Sequence, residues 1–341
     1  MEYTYPKFGD LKVSTRTIEI YTNLNLDLQK LFNLLPIYEL ENIPLTKKKK
    51  RPDIKKIFAP VGSIIGIRMF NKGIYRFRGI NTRPEKCLIS ELRLKRDNGK
   101  LNADEQGTLA ELEKVYKKNV LDFQNQICII MNVGTRITSK NNIEFIIPIN
   151  LNIMAFRNGF KLVGCKTDTE VYTVIKIMWG HINTIKCYKL VDNFSPRFII
   201  DPVMTNLDFQ LGFKVNRKEL NNVLNKSKYS SVIFTSNFEP TSHTNVKVRM
   251  KKYPPKGWEY EYITFPNKEF PNKYKILKLG DNPYQNPINK KKCSKYHTFL
   301  IPRSSKVIIS GKYLSLLEEH YNYFINIIEE NRGKIEEKNE I

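Results

Sequence analysis

One pattern occurs twice in this 341-residue chain, and that repetition restricts the fold more than any other feature. Ser14–Leu35 (STRTIEIYTNLNLDLQKLFNLL) and Val203–Leu224 (VMTNLDFQLGFKVNRKELNNVL) each begin as a strand, pass through Asn or Gly turn residues and enter an amphipathic helix. At one constant offset Ile18, Ile20, Leu24, Leu26, Leu31 and Leu35 meet Leu207, Phe209, Phe213, Val215, Leu220 and Leu224, apolar on apolar throughout. The ends of the halves correspond too. Leu151–Val163 carries an Asn158-Gly159 hairpin turn, then Gly164, then a helix from Asp168 to Gly180 opened by a Thr167/Glu170 capping box. Thr298–Ile309 is followed by Gly311 and a helix from Leu316 to Asn331, with Ser315 and Glu318 at the same capping spacing.

The expected organisation is a first repeat over 11–190, a second over 198–334 and a charged tail over 335–341. Insertions interrupt both repeats. Segment 42–60 contains the basic run Lys47–Lys56 (KKKKRPDIKK), read as a solvated loop with a phosphate contact or nuclear-import signal as alternatives. Segment 91–120 has a charged helical pattern and reads as an external excursion. Segment 251–292 is rich in proline and aromatics and reads as an extended arm, either partner-binding or packed on the body. Ile64–Phe70 and Ile74–Ile80 form a further hairpin around Asn71-Lys72-Gly73, with Gln124–Val133 and Asn245–Met250 as additional strands. Many strands, two helices per half and no βαβ alternation predict an α+β fold with an antiparallel sheet.

The net charge of +23 suits a polyanionic partner, because neutralising phosphates releases their counterions. An AT-rich genome, which favours Lys, Asn, Ile and Tyr codons, would produce the same excess. No apolar run approaches bilayer length and the first residues lack a signal-peptide core, so an intracellular protein is expected. The five cysteines are scattered singly, which suits a reducing compartment. Cys293 and His297 make a lone C-x-x-x-H, half of a zinc motif, and the four histidines (His181, His243, His297, His320) show no metal-ligand spacing. With no phosphate loop, dinucleotide fingerprint or nucleophile elbow, the expectation is a protein that is not an enzyme and holds no metal or cofactor.

Several blocks carry a resemblance to one family. The order strand, helix, strands, hairpin, helix, repeated in tandem, is similar to that of the TATA-box-binding proteins. Phe238–Met250 (FEPTSHTNVKVRM) resembles the family's Y-E-P segment leading into a strand that ends in Arg-Met. Leu300–Lys312 (LIPRSSKVIISGK) resembles its L-I-F-x-S-G-K hairpin, and Phe156–Lys166 resembles the same hairpin with a loop one residue shorter. Phe123–Ile130 looks closest to forms encoded by large DNA viruses.

The resemblance implies two halves joined in one curved antiparallel saddle, a basic concave face on A·T-rich minor groove, and helices on the convex face. It implies double-stranded DNA as ligand, RNA polymerase and other initiation factors as partners, a monomer on DNA, and a host nucleus, a cytoplasmic viral replication site or the virion as location. Phosphate or groove contacts then fall on Arg157, Lys161, Lys247, Arg249, Arg303 and Lys306, and base-edge hydrogen bonds on Thr15 and Thr205. Where the family wedges two phenylalanine pairs between base steps, this chain keeps Phe156 and has Gln126 near its partner position, Phe123 being the nearest aromatic. The second-half positions read as His243 and Pro302, so a symmetric double kink is not expected. Two other functions fit the same pattern: a scaffold module of a transcription complex that has lost duplex bending, and a nucleic-acid-processing enzyme.

Overall fold

The computed structural model describes residues 4–41, 43–45, 52–71, 74–116, 126–140, 143–240, 245–251, 260–266, 273–279, 296–312 and 314–337. In chain order the elements are β1 (Lys12–Thr22), β2 (Leu24–Leu26), α1 (Leu28–Leu34), β3 (Ile64–Asn71), β4 (Ile74–Gly79), α2 (Pro84–Asp97) and α3 (Ala103–Tyr116). There follow β5 (Ile127–Lys140), β6 (Ile143–Phe156), β7 (Gly159–Cys165), α4 (Asp168–Ile185), β8 (Tyr188–Leu190), β9 (Arg197–Gln210) and α5 (Arg217–Leu224). Last come β10 (Ile233–Asn237), β11 (Asn245–Lys251), β12 (Tyr260–Thr264), β13 (Lys275–Leu279), β14 (Tyr296–Pro302), β15 (Lys306–Gly311) and α6 (Leu314–Ile335). The fold is α+β with antiparallel pairing, as the pattern predicts. Two compact units emerge: unit one is Met1–Ile18, Asp201–Tyr260 and Lys278–Ile341, and unit two is Glu19–Ile200 and Glu261–Leu277.

In unit one the strand order is β10-β11-β14-β15-β9-β1. Period-two alternation puts Val246, Val248, Phe299, Ile301, Val307 and Ile309 on one side, where they share a core with Leu220, Leu317, Phe324 and Ile328 of α5 and α6. Phe299 and Phe324 meet with ring centroids 4.7 Å apart. Asn216 caps α5 by accepting the Glu219 N–H. Helix α6 begins at Leu314, so Ser315 lies inside its first turn and not at the cap expected from sequence.

Buried polar contacts in this unit include an ion pair and a histidine pair. Lys312 pairs with Asp201 at 2.8 Å. His297 meets His320 of α6 Nδ1 to Nδ1 at 3.1 Å, one ring donating and the other accepting. Gly311 lies against that pair, and a Cβ there would come within 2.5 Å of the His297 ring.

In unit two the order is β1-β7-β6-β5-β3-β4. Helix α4 packs on β5 and β7. Its Trp179 sits edge-on to Phe198, which stacks on Phe160. Thr167 caps α4 by accepting the Glu170 N–H, while the Glu170 carboxylate takes the Lys166 N–H and the Arg136 guanidinium. The twelve apolar residues matched between the two halves are all buried.

The insertions differ from expectation. Of the basic run Lys47–Lys56, Lys47–Arg51 lie outside the described residues and Lys55 and Lys56 are exposed; just past the run, Ile57 is buried with Ile65, Ile80 and Ile130. The helical excursion begins earlier than predicted, as α2 and α3 form a pair with Ile89, Leu92 and Leu109 between them. Part of the aromatic arm is a strand, since β12 pairs with β9 (Tyr262 opposite Ile199) and buries Phe265 beside Trp179. Among the described residues no helix is long and apolar enough to cross a membrane.

Two stability predictions follow from this packing. Leu31→Ala and Leu220→Ala should each cost roughly 2–5 kcal/mol in urea denaturation, whereas Leu34→Ala should stay within about 0.5 kcal/mol; Leu31 and Leu220 are fully buried and Leu34 is 54% exposed. Burial holds the imidazoles of His320 and His181 below the ordinary histidine value, and for His320 a hydrogen bond to the Lys251 backbone opposes this. A lowered histidine pKa means the unfolded chain takes up its proton first. Stability should therefore be level above about pH 7 and fall as pH drops below about 6.5, with a shallower fall in His320→Gln.

Candidate nucleic-acid interface

The side of unit one facing away from α5 and α6 is built by the other half of the strand alternation. Strand β11 sends Asn245, Lys247, Arg249 and Lys251 there, opposite Pro302, Leu300, Thr298 and Tyr296 of β14. Strand β15 adds Lys306 and Ile308, opposite Gln210 and Asp208 of β9. Four cations share this face with one carboxylate among its described residues, and that carboxylate, Asp208, pairs with Lys306 at 3.1 Å. At the β10 edge the register shifts between Ile233 and Thr235. The extra residue, Phe234, is 47% exposed and stacks on Tyr296 with centroids 4.5 Å apart. The face thus offers a row of positive charge beside an open aromatic pair, the combination that neutralises phosphates and stacks on bases.

The corresponding side of unit two is only partly open. Phe160, Ala155, Ile153, Ile129 and Ile67 lie on the α4 side, so their alternates Lys161, Phe156, Met154, Ile130 and Arg68 point the other way. Two insertions cover part of this second side. The Asn150 side-chain amide, on the same side as Ile130, donates to the carbonyls of Ile54 at 2.6 Å and Ile57 at 2.8 Å. Phe70 and Tyr75, register partners on that side, are buried with Cys87 of α2. What stays open is the β1-β7-β6 end, where Lys161 pairs with Glu19 at 3.4 Å and Tyr21 donates to the same carboxylate at 2.8 Å.

These positions sort the residues predicted from sequence. Lys247, Arg249, Pro302 and Lys306 share the strand face of unit one. Phe156 is half-buried on the strand face of unit two, with Arg157 exposed at the adjacent hairpin tip and Lys161 partly neutralised by Glu19. Thr15 is half-buried in β1.

One assignment needs correction. Thr205 is 1% exposed and sits opposite Gly311 on the helix side, so it cannot reach a base edge; its neighbour Met204 is the exposed one. Arg303, at the turn between β14 and β15, is exposed and pairs with both oxygens of Glu337 at 2.9 Å. His243, Phe123 and Cys293 lie outside the described residues, and Gln126 is buried. Among the described residues no group of three or more metal-ligating side chains occurs. Sequence reasoning missed Lys251, Phe234 and Tyr296. Continuing the Lys247–Arg249 alternation by one step would have found Lys251, but the bulge that turns Phe234 onto the face leaves no sequence signal.

No family model matches the chain. Over 130 residues it is 31% identical to a TATA-box-binding protein-like protein of Acanthamoeba polyphaga mimivirus, covering 35% of this chain and 33% of that protein. The chain therefore spans about a third of that relative's length in the match. It is also similar to a solved structure, Methanococcus jannaschii TBP, with 11% identity, a TM-score of 0.41 and coverage of 95% of this chain and 99% of that one.

Reaction with a lysine-modifying reagent should separate the two classes of cation on unit one. Lys247 should label early, whereas Lys312, buried against Asp201, should stay unlabelled until denaturant is added, as read by peptide mass spectrometry.

Proposed function

We propose that this TATA-box-binding-protein-like chain is a DNA-binding transcription initiation factor that lays the strand face of unit one on A·T-rich minor groove. The observation that carries the reading is the row Lys247, Arg249, Lys251 and Lys306 on a strand face whose reverse is sunk into α5 and α6. On this reading 11–190 and 198–334 are tandem copies of one ancestral unit, and the matched buried positions of the two halves support that. The copies engage DNA unequally. Unit one supplies most of the charge, and Phe156 and Pro302 are the wedge candidates, with Thr15 beside the groove. RNA polymerase and other initiation factors are the partners, the protein binds DNA as a monomer, and it works in the nucleus or at a viral replication site.

The partial cover on the strand face of unit two favours a second reading, a scaffold module that holds protein partners and no longer bends a duplex. Affinity for DNA separates the two. Four phosphate contacts give a log affinity against log salt slope of about −3.6, with A·T-rich duplex preferred over G·C-rich. Lys247→Gln with Arg249→Gln should shrink that slope by about 2 in fluorescence anisotropy. Affinity that does not change between low and physiological salt would rule the DNA reading out. Fluorescence transfer across a doubly labelled duplex should report less than a symmetric two-kink bend, and a full symmetric bend would overturn the unequal roles of the halves.

A further inference from the structure

Arg157, at the tip between β6 and β7, opens onto a cavity of about 630 Å³ that the strand-face reading leaves unused. The cavity lies within unit two, between β2, the first turn of α1, β8 and the ends of β3 and β5. Four cationic side chains line it: Lys30, Arg157, Lys186 and Lys189. The one carboxylate among its lining residues is Asp27, which is already engaged as the N-cap of α1, accepting the Lys30 N–H at 2.9 Å.

The Lys30 ammonium donates to the Lys186 carbonyl at 3.2 Å, and the Lys186 ammonium to Asn183 Oδ1 at 3.1 Å, both neutral acceptors. Elsewhere on unit two cations find carboxylates, as in Arg197–Asp192 at 2.6 Å and Arg93–Glu113 at 2.7 Å. The chain also adopts strained geometry here. Lys186 ends α4 at φ 54°, a left-handed conformation that disfavours any residue with a Cβ. That turn brings Lys186 beside Lys30, and the pairing of β2 with β8 sets Lys189 opposite Asn25.

Four like charges around one concavity repel each other unless an anion offsets them. A guanidinium fork with ammonium point charges matches a group that presents several charged oxygens, which a phosphoryl group does and a lone carboxylate does less well. The volume is in the range of sites for small ligands. We infer that this cavity binds a phosphoryl oxyanion, either a backbone phosphate of nucleic acid or a free pyrophosphate or phosphate ester. The inference does not rest on the strand face of unit one.

The test uses the full chain with inorganic pyrophosphate in titration calorimetry. Saturable binding of one pyrophosphate is expected. It should weaken about tenfold in Lys30→Gln/Lys189→Gln, where two charge-assisted contacts are lost, and stay unchanged in Lys100→Gln, an exposed lysine in the turn after α2. Arg157→Lys, which keeps the charge and removes the fork, should fall between the two. Both lysines in the double variant are exposed, so an unchanged thermal midpoint is expected and confirms that it folds. A duplex arm identifies the source. If the double variant also loses duplex affinity and its salt slope shrinks by about 2, the occupant is a backbone phosphate. If duplex affinity is unchanged while pyrophosphate binding falls, the occupant is a free phosphate compound. Absence of saturable pyrophosphate binding, or binding that survives the double variant undiminished, overturns the site.

Discussion

The packing of one long helix against one side of each strand array is the interaction on which the rest of the structure depends. Helix α6 does this in unit one and α4 in unit two. Each fully buried Leu, Ile or Phe contributes about 1.5–3 kcal/mol relative to exposure, so a strand that faces a helix has its alternation fixed at every second residue. Everything on the remaining side follows from that choice. Lys247, Arg249 and Lys251 share a surface because Val246, Val248 and Met250 are committed beneath α6.

The two units use that remaining side differently. In unit one it is open among the described residues, with its charge and its Phe234–Tyr296 stack at the surface. In unit two the chain returns over it twice, through Ile57 and through α2. Covering a strand face satisfies the apolar residues on it, such as Ile130 and Phe70, which would otherwise be exposed to water. It also removes surface from any ligand that would lie along the strands. Four of its cations, Lys30, Arg157, Lys186 and Lys189, line one cavity instead.

Legibility followed the range of the interaction that fixes each feature. The β6–β7 and β14–β15 hairpins, the α1 and α5 strand-to-helix entries and the Thr167 cap were readable because turn chemistry and capping act within a few residues. The start of α6 lies two residues before the expected one, within the one or two residues by which helix ends fray. Thr205 was misassigned because a one-residue uncertainty in register exchanges the two sides of a strand, and only its pairing with Gly311 decides which side it takes. The Arg303–Glu337 pair was not legible because Glu337 lies beyond the end of a helix distant in sequence.

By itself the sequence determined the element types, the antiparallel α+β class, the matched apolar positions of the two halves and the basic character of the surface. All of these follow from local periodicity and composition. Tertiary structure alone decided that Ile57 and α2 fold over one strand face, that β12 joins β9, and that Lys30, Arg157, Lys186 and Lys189 line one cavity. Those outcomes depend on contacts between residues far apart in the chain, which come together only once the helices have chosen their side of the strands.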